Sequence, residues 1–285
     1  MSEDPVFVLT RYLYIKDDVW ASLMMSILNK DIEQTMFWTC EMYHSGFEEE
    51  LADYLLVIYI EFFRSKNPRL ESHLRAWSTR ILEGAHIAAT MARNLAAYPR
   101  KKTVTNFDTA KLDDDIHADS KFETRLLIHV SPAMIEKYTT IYKDDTLKRP
   151  ARKILAQACL YSTCKNMAIL FQANYVSLDF AQMSEYHRMD HHWLYFASFS
   201  PVWKRRILEF KGIIDDTTSR VDFPDEESLE AFFEEFGYEP DEQAPDVSGK
   251  FMHRQHNQQM TMKEFCCMFN KTKTVRVNKK QSTLC

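Results

Sequence analysis

Apolar positions in the first hundred residues recur at intervals of three and four, and polar residues, Gly or Pro punctuate each run. That periodicity is the signature of amphipathic helices. Residues 5–15 (PVFVLTRYLYI) form too short an apolar run to separate a strand from a helix start. After them, Asp17 or Asp18 can cap a helix running to about Leu28, and Asp31 can cap a second, with Gln34 where a capping box places its reciprocal acceptor. The second helix carries Ile32, Met36, Phe37, Cys40 and Tyr43 on one stripe and stops at Gly46. A third opens on Glu48, Glu49 and Glu50, which suit the positive end of the helix dipole, and runs to Lys66. From Tyr54 to Ile60 it is apolar around most of its circumference, which predicts a central place in the fold. Pro68 suits the first turn of a fourth, whose Leu70, Leu74, Trp77, Ile81, Leu82 and Ala85 keep helical spacing until about Ala97. Links this short make the four helices antiparallel neighbours.

Beyond Pro99 the pattern lapses. Residues 99–120 are polar and sign-divided, with Arg100, Lys101 and Lys102 ahead of Asp113, Asp114 and Asp115, as in a linker or surface excursion. Helical spacing resumes at 121–130, after Pro132, after Pro150, across 179–195 and after Pro201. Residues 213–246 are strongly acidic and hold one short helix, ESLEAFFEEF, stopped by Gly237 and held to the body by Leu229, Phe232, Phe233 and Phe236. The last fifteen residues are basic and contain no acid. The expected architecture is all-α, a multi-helix bundle or helical-hairpin stack with a charge-divided C-terminal tail. Its segments are an N-terminal helical domain at 1–104, a central one at 105–212 sharing or adjoining the same core, and the acidic segment, short helix and basic tail at 213–285.

Composition narrows the chemistry. A chain of 285 residues has five glycines, Gly46, Gly84, Gly212, Gly237 and Gly249, where an average one would carry about 20. Backbone cradles for phosphate need several glycines together, so the P-loop, the dinucleotide fingerprint and the protein-kinase signature are excluded. Glycine-dependent tight hairpins are scarce for the same reason, which argues against a large all-β fold. The 19 Phe, 14 Met, 13 Tyr and 5 Trp supply area for helix packing and, in smaller measure, for partner contacts. No signal-peptide pattern or dense cysteine framework is present, and no apolar run approaches the length of a bilayer span. The expectation is a reduced, cytoplasmic protein without a membrane span.

Candidate sites are few. His187 and His191 stand one helical turn apart and can share a zinc ion, with Glu185 or Asp190 supplementary, but Arg188 occupies the place of a metalloprotease glutamate; an exposed polar face is the plainer account. His253, His256, Cys266 and Cys267 lack the paired spacing of a structural zinc site, and Cys159 with Cys164 suits core packing. No nucleophile motif and no cofactor motif occurs, so no catalytic residue and no cofactor is assigned. Basic clusters are more telling. Lys148, Arg149, Arg152 and Lys153, with Lys271, Lys273, Arg276, Lys279 and Lys280, would bind nucleic acid if folding joined them. The formal net charge of -5 gives no global bias toward it. Trp203, Lys204, Arg205, Arg206, Phe232 and Phe233 combine aromatic and cationic groups as protein-binding residues do.

The segments TRYLYIKDD and FWTCEMYHSGFEEELADYLL, with Trp38, Glu41, Tyr43, Gly46 and Phe47, and later EFKGIIDD and EEFGYEPDEQ, resemble uncharacterised helical proteins of large nucleocytoplasmic DNA viruses. The resemblance covers the first seventy residues and a stretch near 205–243. It implies a eukaryotic-cell cytoplasmic setting and a role in a virion or in a viral replication or expression complex, and it carries no active-site residue. Three readings follow: a non-enzymatic interaction or structural subunit that binds a protein partner or its own copies, a nucleic-acid-binding accessory subunit, and a helical metal-dependent enzyme on the His187 and His191 face.

Overall fold

The structure is a computed structural model that describes residues 8–99, 126–139, 161, 194–218 and 220–236. It is predominantly helical, several helices packing as a bundle beside one two-stranded hairpin. The elements are α1 (Lys16–Leu28), α2 (Ile32–His44), α3 (Glu48–Ile58) continued by a π-helical turn (Tyr59–Phe63), α4 (Leu70–Ser78), a 3₁₀ turn (Ile81–Glu83), α5 (Ala85–Ala97), α6 (Pro132–Thr139), α7 (Pro201–Glu209), β1 (Ile213–Asp215), β2 (Arg220–Asp222) and α8 (Glu226–Phe236).

The bundle is organised around α2, which is buried without a break from Gln34 to Met42 and packs on α1, α3, α5 and α6. The central place predicted for the third helix belongs to α2 instead. Although α3 is the more apolar of the two, its Val57 and the following Ile60 reach solvent at 44% and 41% exposure. Polar residues survive inside α2 because each is bonded within its own turn or to a neighbour. Thr35 and Thr39 donate to carbonyls one turn back, Asp31 O and Thr35 O. Asp31 caps the helix as expected, accepting from Gln34 N at 3.1 Å. The capping box is altered, however, since Gln34 Nε2 donates to the Asp31 carboxylate and the Asp31 amide donates to Ser26 O.

The shortage of glycine does not remove glycine-type geometry. Three helices end in the paired 6→1 and 5→2 bonds of a Schellman motif. At α2 Gly46 takes the left-handed position with φ 91°, whereas α1 and α7 place Lys30 and Lys211 there at 58° and 61°. An exposed lysine tolerates this conformation at a cost of about 1 kcal/mol. Similarly, the hairpin turn between β1 and β2 uses no glycine. The Asp215 carboxylate accepts from Thr217 N at 2.8 Å and from Thr218 Oγ1 at 2.8 Å, and these bonds close the turn.

Two other expectations change. The fourth helix is broken into α4 and α5 between Ser78 and Ala85, where a 3₁₀ turn ends on Gly84, whose φ of 154° and ψ of 158° are outside helical space and open only to glycine; the periodicity continues through the break, so spacing alone could not show it. Residues 126–131 are not helical. Their backbone is held by α5 side chains: Asn94 donates to Ile128 O at 2.7 Å and accepts from Ile128 N at 3.0 Å, while Thr90 Oγ1 accepts from Val130 N at 3.0 Å. Two polar side chains one turn apart thus stand in for a neighbouring strand. Side chains from 8–15, α1 to α7 and α8 join one hydrophobic cluster, so described parts of all three proposed segments share a core.

Candidate interaction surface

Residues 8–15 resolve the ambiguity of the opening run as neither a regular strand nor a helix. Leu9 bridges Ile15, and between them Thr10, Arg11, Tyr12, Leu13 and Tyr14 make a loop that is wholly buried. A buried loop has to find partners for its backbone, and this one does. Arg11 N donates to Ser45 Oγ at 2.9 Å, Tyr12 N to Glu41 Oε1 at 3.0 Å, Leu13 N to Thr10 O at 2.9 Å and Tyr14 N to Thr10 Oγ1 at 3.1 Å. The Arg11 side chain then donates from Nε to Glu41 Oε2 at 2.9 Å and from Nη2 to Tyr138 O at 2.7 Å, and it lies 4.3 Å over the Tyr12 ring. Trp203 Nε1 donates to Thr10 O at 3.0 Å and Val202 N to Ser45 O at 3.3 Å. One polar knot therefore ties the loop, α2, α6 and α7 together.

Sequence reasoning passed over Arg11 and Ser45 and named Glu41 only among the residues of the resemblance, although a signal was present: a lone cation in one apolar run and a lone carboxylate between Cys40 and Met42 in another. Around the knot, burial pushes the Cys40 thiol up to about 12, although Arg11 acts against it. Burial, with help from the same guanidinium, pushes His44 down to about 3. His44 Nε2 and Trp38 Nε1 are buried with no acceptor or donor partner among the described residues. The knot itself is sealed from solvent, with Arg11, Glu41, Ser45 and Thr10 all buried.

The proposed binding residues at α7 and α8 separate into an inner and an outer set. Trp203 and Phe232 are each 0% exposed. Trp203 packs with Phe232 and Phe236, Phe232 also meets Phe210, Phe223 and Phe233, and the Arg206 guanidinium lies 4.6 Å over Trp203 and 4.7 Å over Phe236. This aromatic box glues α7, the hairpin and α8 into one unit, and Arg206 is half-buried within it. Phe233 is partly buried against the cluster. Lys204 and Arg205 point the other way and are exposed.

With them on the outer side is a feature the sequence reading missed. Leu208 is 56% exposed and Ile213, directly after the turn that ends α7, is 61% exposed; Lys211 in that turn is exposed as well. Helical spacing puts Lys204 and Leu208 one turn apart on one face. Leu208 is thereby set beside Lys204 and Arg205, with Glu209 also exposed, on a helix whose inner side is anchored by Trp203, and Ile213 follows at the start of β1. The signal was legible in WKRRILEF, where Leu208 falls opposite Trp203 on a helical projection.

The remaining candidates, His187, His191, Lys148, Arg149, Arg152, Lys153, Lys271, Lys273, Arg276, Lys279 and Lys280, with Cys159, Cys164, His253, His256, Cys266 and Cys267, lie outside the described residues. Among the described residues no group of three or more His, Cys, Asp or Glu side chains is placed to hold a metal ion. No described helix is long and apolar enough to cross a membrane. Comparison of the chain with protein-family models, curated proteins and solved structures finds no match.

Proposed function

We propose that the chain is a non-enzymatic interaction subunit of a multiprotein assembly and that it docks its partner on the outer side of α7. The observation that carries this reading is the exposure of Leu208 and Ile213 in the same stretch as the exposed charges of Lys204, Arg205, Glu209 and Lys211. Apolar centres ringed by charge are the usual anatomy of a protein contact, where buried apolar groups supply affinity and rim charges select the partner. The support beneath fits the role. Trp203 is bonded to the buried loop and boxed by phenylalanines, so the outer face is held in position before a partner arrives and loses little freedom on binding.

The resemblance to helical proteins of large nucleocytoplasmic DNA viruses favours a virion or a viral replication or expression complex as the assembly, in the cytoplasm of a eukaryotic cell. Affinity capture from such cells with the native chain and with Leu208→Asp/Ile213→Asp is the test. Both positions are exposed, so the double variant should keep its far-UV circular dichroism and melting temperature while losing the captured partner. An unchanged set of partners from a folded variant would remove the proposal.

A further inference from the structure

Residues 126–130 run extended along α5 and use only one edge of their backbone. On that edge Asn94 Nδ2 donates to Ile128 O at 2.7 Å and Asn94 Oδ1 accepts from Ile128 N at 3.0 Å, while Thr90 Oγ1 accepts from Val130 N at 3.0 Å. The two side chains stand one turn apart, about 6 Å along the helix, close to the rise of about 6.7 Å over two residues of a strand. In an extended chain the N–H and C=O groups of successive residues point to opposite edges, so those of Leu127 and His129 face away from α5. Among the described residues these groups have no hydrogen-bond partner. His129 is exposed, and no Lys, Arg, Asp, Glu or Pro stands within 126–131 to guard the edge, as open strand edges ordinarily require.

The side chains add a second indication. Leu126, Ile128 and Val130 share one face by strand periodicity. Leu126 is 89% exposed, more than any other large apolar side chain among the described residues, whereas Val130 is buried at 3%. We propose that the open edge pairs antiparallel with the same edge of a second copy of this chain, about a two-fold axis at Ile128. In that register Leu127 and His129 of one protomer exchange bonds with His129 and Leu127 of the other, and every open main-chain group of the two residues is used. Leu126 then lies opposite Val130 of the other copy, and Ile128 opposite its own equivalent. This apolar ladder covers the exposed leucine. The pairing closes on itself, as an isologous contact does, and it involves none of the α7 side chains.

Sedimentation velocity on the purified full chain tests it over about 1 to 500 µM, because so short an interface dissociates in the micromolar range or above. A dimer is expected, its Kd changing less than about threefold between ionic strengths of about 0.05 and 0.5 M, since no ion pair holds it. His129→Pro removes an outward amide and leaves the Asn94 and Thr90 bonds in place. It should raise Kd about tenfold or more, whereas His129→Ala, which keeps the amide, should stay within about threefold of the native value. Leu126→Asp sets a carboxylate into the ladder and should also weaken the dimer about tenfold or more. Far-UV circular dichroism and melting temperature should match the native chain in each variant; if His129→Pro melts lower, Leu126→Asp decides. A monomer at every concentration overturns the proposal. So does a dimer that Leu126→Asp leaves intact, or one that His129→Ala weakens as much as a folded His129→Pro.

Discussion

Replacing Arg11 by methionine removes the cation at the centre of the buried knot and leaves the Glu41 carboxylate without its charged partner. In the native chain both side chains are almost completely shielded, at 5% and 0% exposure, and separated by 2.9 Å. Removing one member of such a pair costs about 3–5 kcal/mol, most of it the penalty of an uncompensated buried charge. Arg11→Met also orphans Tyr138 O, which accepts from Nη2, and that adds about 1 kcal/mol. Replacing both, as Arg11→Met/Glu41→Gln, leaves no buried charge and keeps an amide oxygen where Tyr12 N donates. The double variant should therefore be more stable than Arg11→Met alone, with a coupling energy of about 2–3 kcal/mol between the positions. Urea denaturation followed by tryptophan fluorescence reads this directly, because Trp20, Trp38, Trp77 and Trp203 are all buried. Single variants that each lose less than about 1 kcal/mol, with losses that simply add, would show that the knot does not hold the bundle together.

His44 should make the protein acid-sensitive. Its folded pKa is depressed to about 3, so above the unfolded value near 6.5 both states are neutral, and below it only the unfolded chain takes the proton. Stability then falls as pH drops from 6.5 toward 3, by about 2 kcal/mol at pH 5, and His44→Gln should flatten that slope in denaturation series at stepped pH; an unchanged slope would refute the assignment. Gly46→Ala should destabilise by more than about 2 kcal/mol, since φ there is 91° and a Cβ would lie 2.5 Å from Pro201 Cβ. At Lys30, also left-handed but exposed, Lys→Gly should instead gain about 0.5–1 kcal/mol, so the two melting temperatures must move in opposite directions. Cys40, buried and with its thiol raised to about 12, should resist a thiol-specific alkylating reagent in the folded protein at pH 7.5 and react once urea unfolds it, as read by mass spectrometry of the Cys40 peptide.

Local patterning determined much of this molecule. Helical spacing, the Asp31 cap, the glutamates at the head of α3 and the isolated ESLEAFFEEF helix are properties of neighbouring residues, and they appear where the sequence places them. The shortage of glycine correctly pointed away from an extensive sheet, because side-chain volume and backbone freedom are also local. What the pattern could not supply was pairing across distance. Nothing near Arg11 says that its partner is Glu41, nor that Trp203 reaches back to Thr10, since such bonds depend on where the helices come to rest. Tertiary packing likewise put α2 in the centre ahead of the more apolar α3, interrupted the fourth helix between Ser78 and Ala85, and let Asn94 and Thr90 hold an extended segment. It also decided which aromatic residues are interior. Trp203 and Phe232 have the composition of a binding site but face each other, and so the side of the helix that reaches solvent is the opposite one, where Leu208 stands beside Lys204 and Arg205. A sequence assigns each residue a preference for burial, but only the packed chain determines which of the apolar residues find cover.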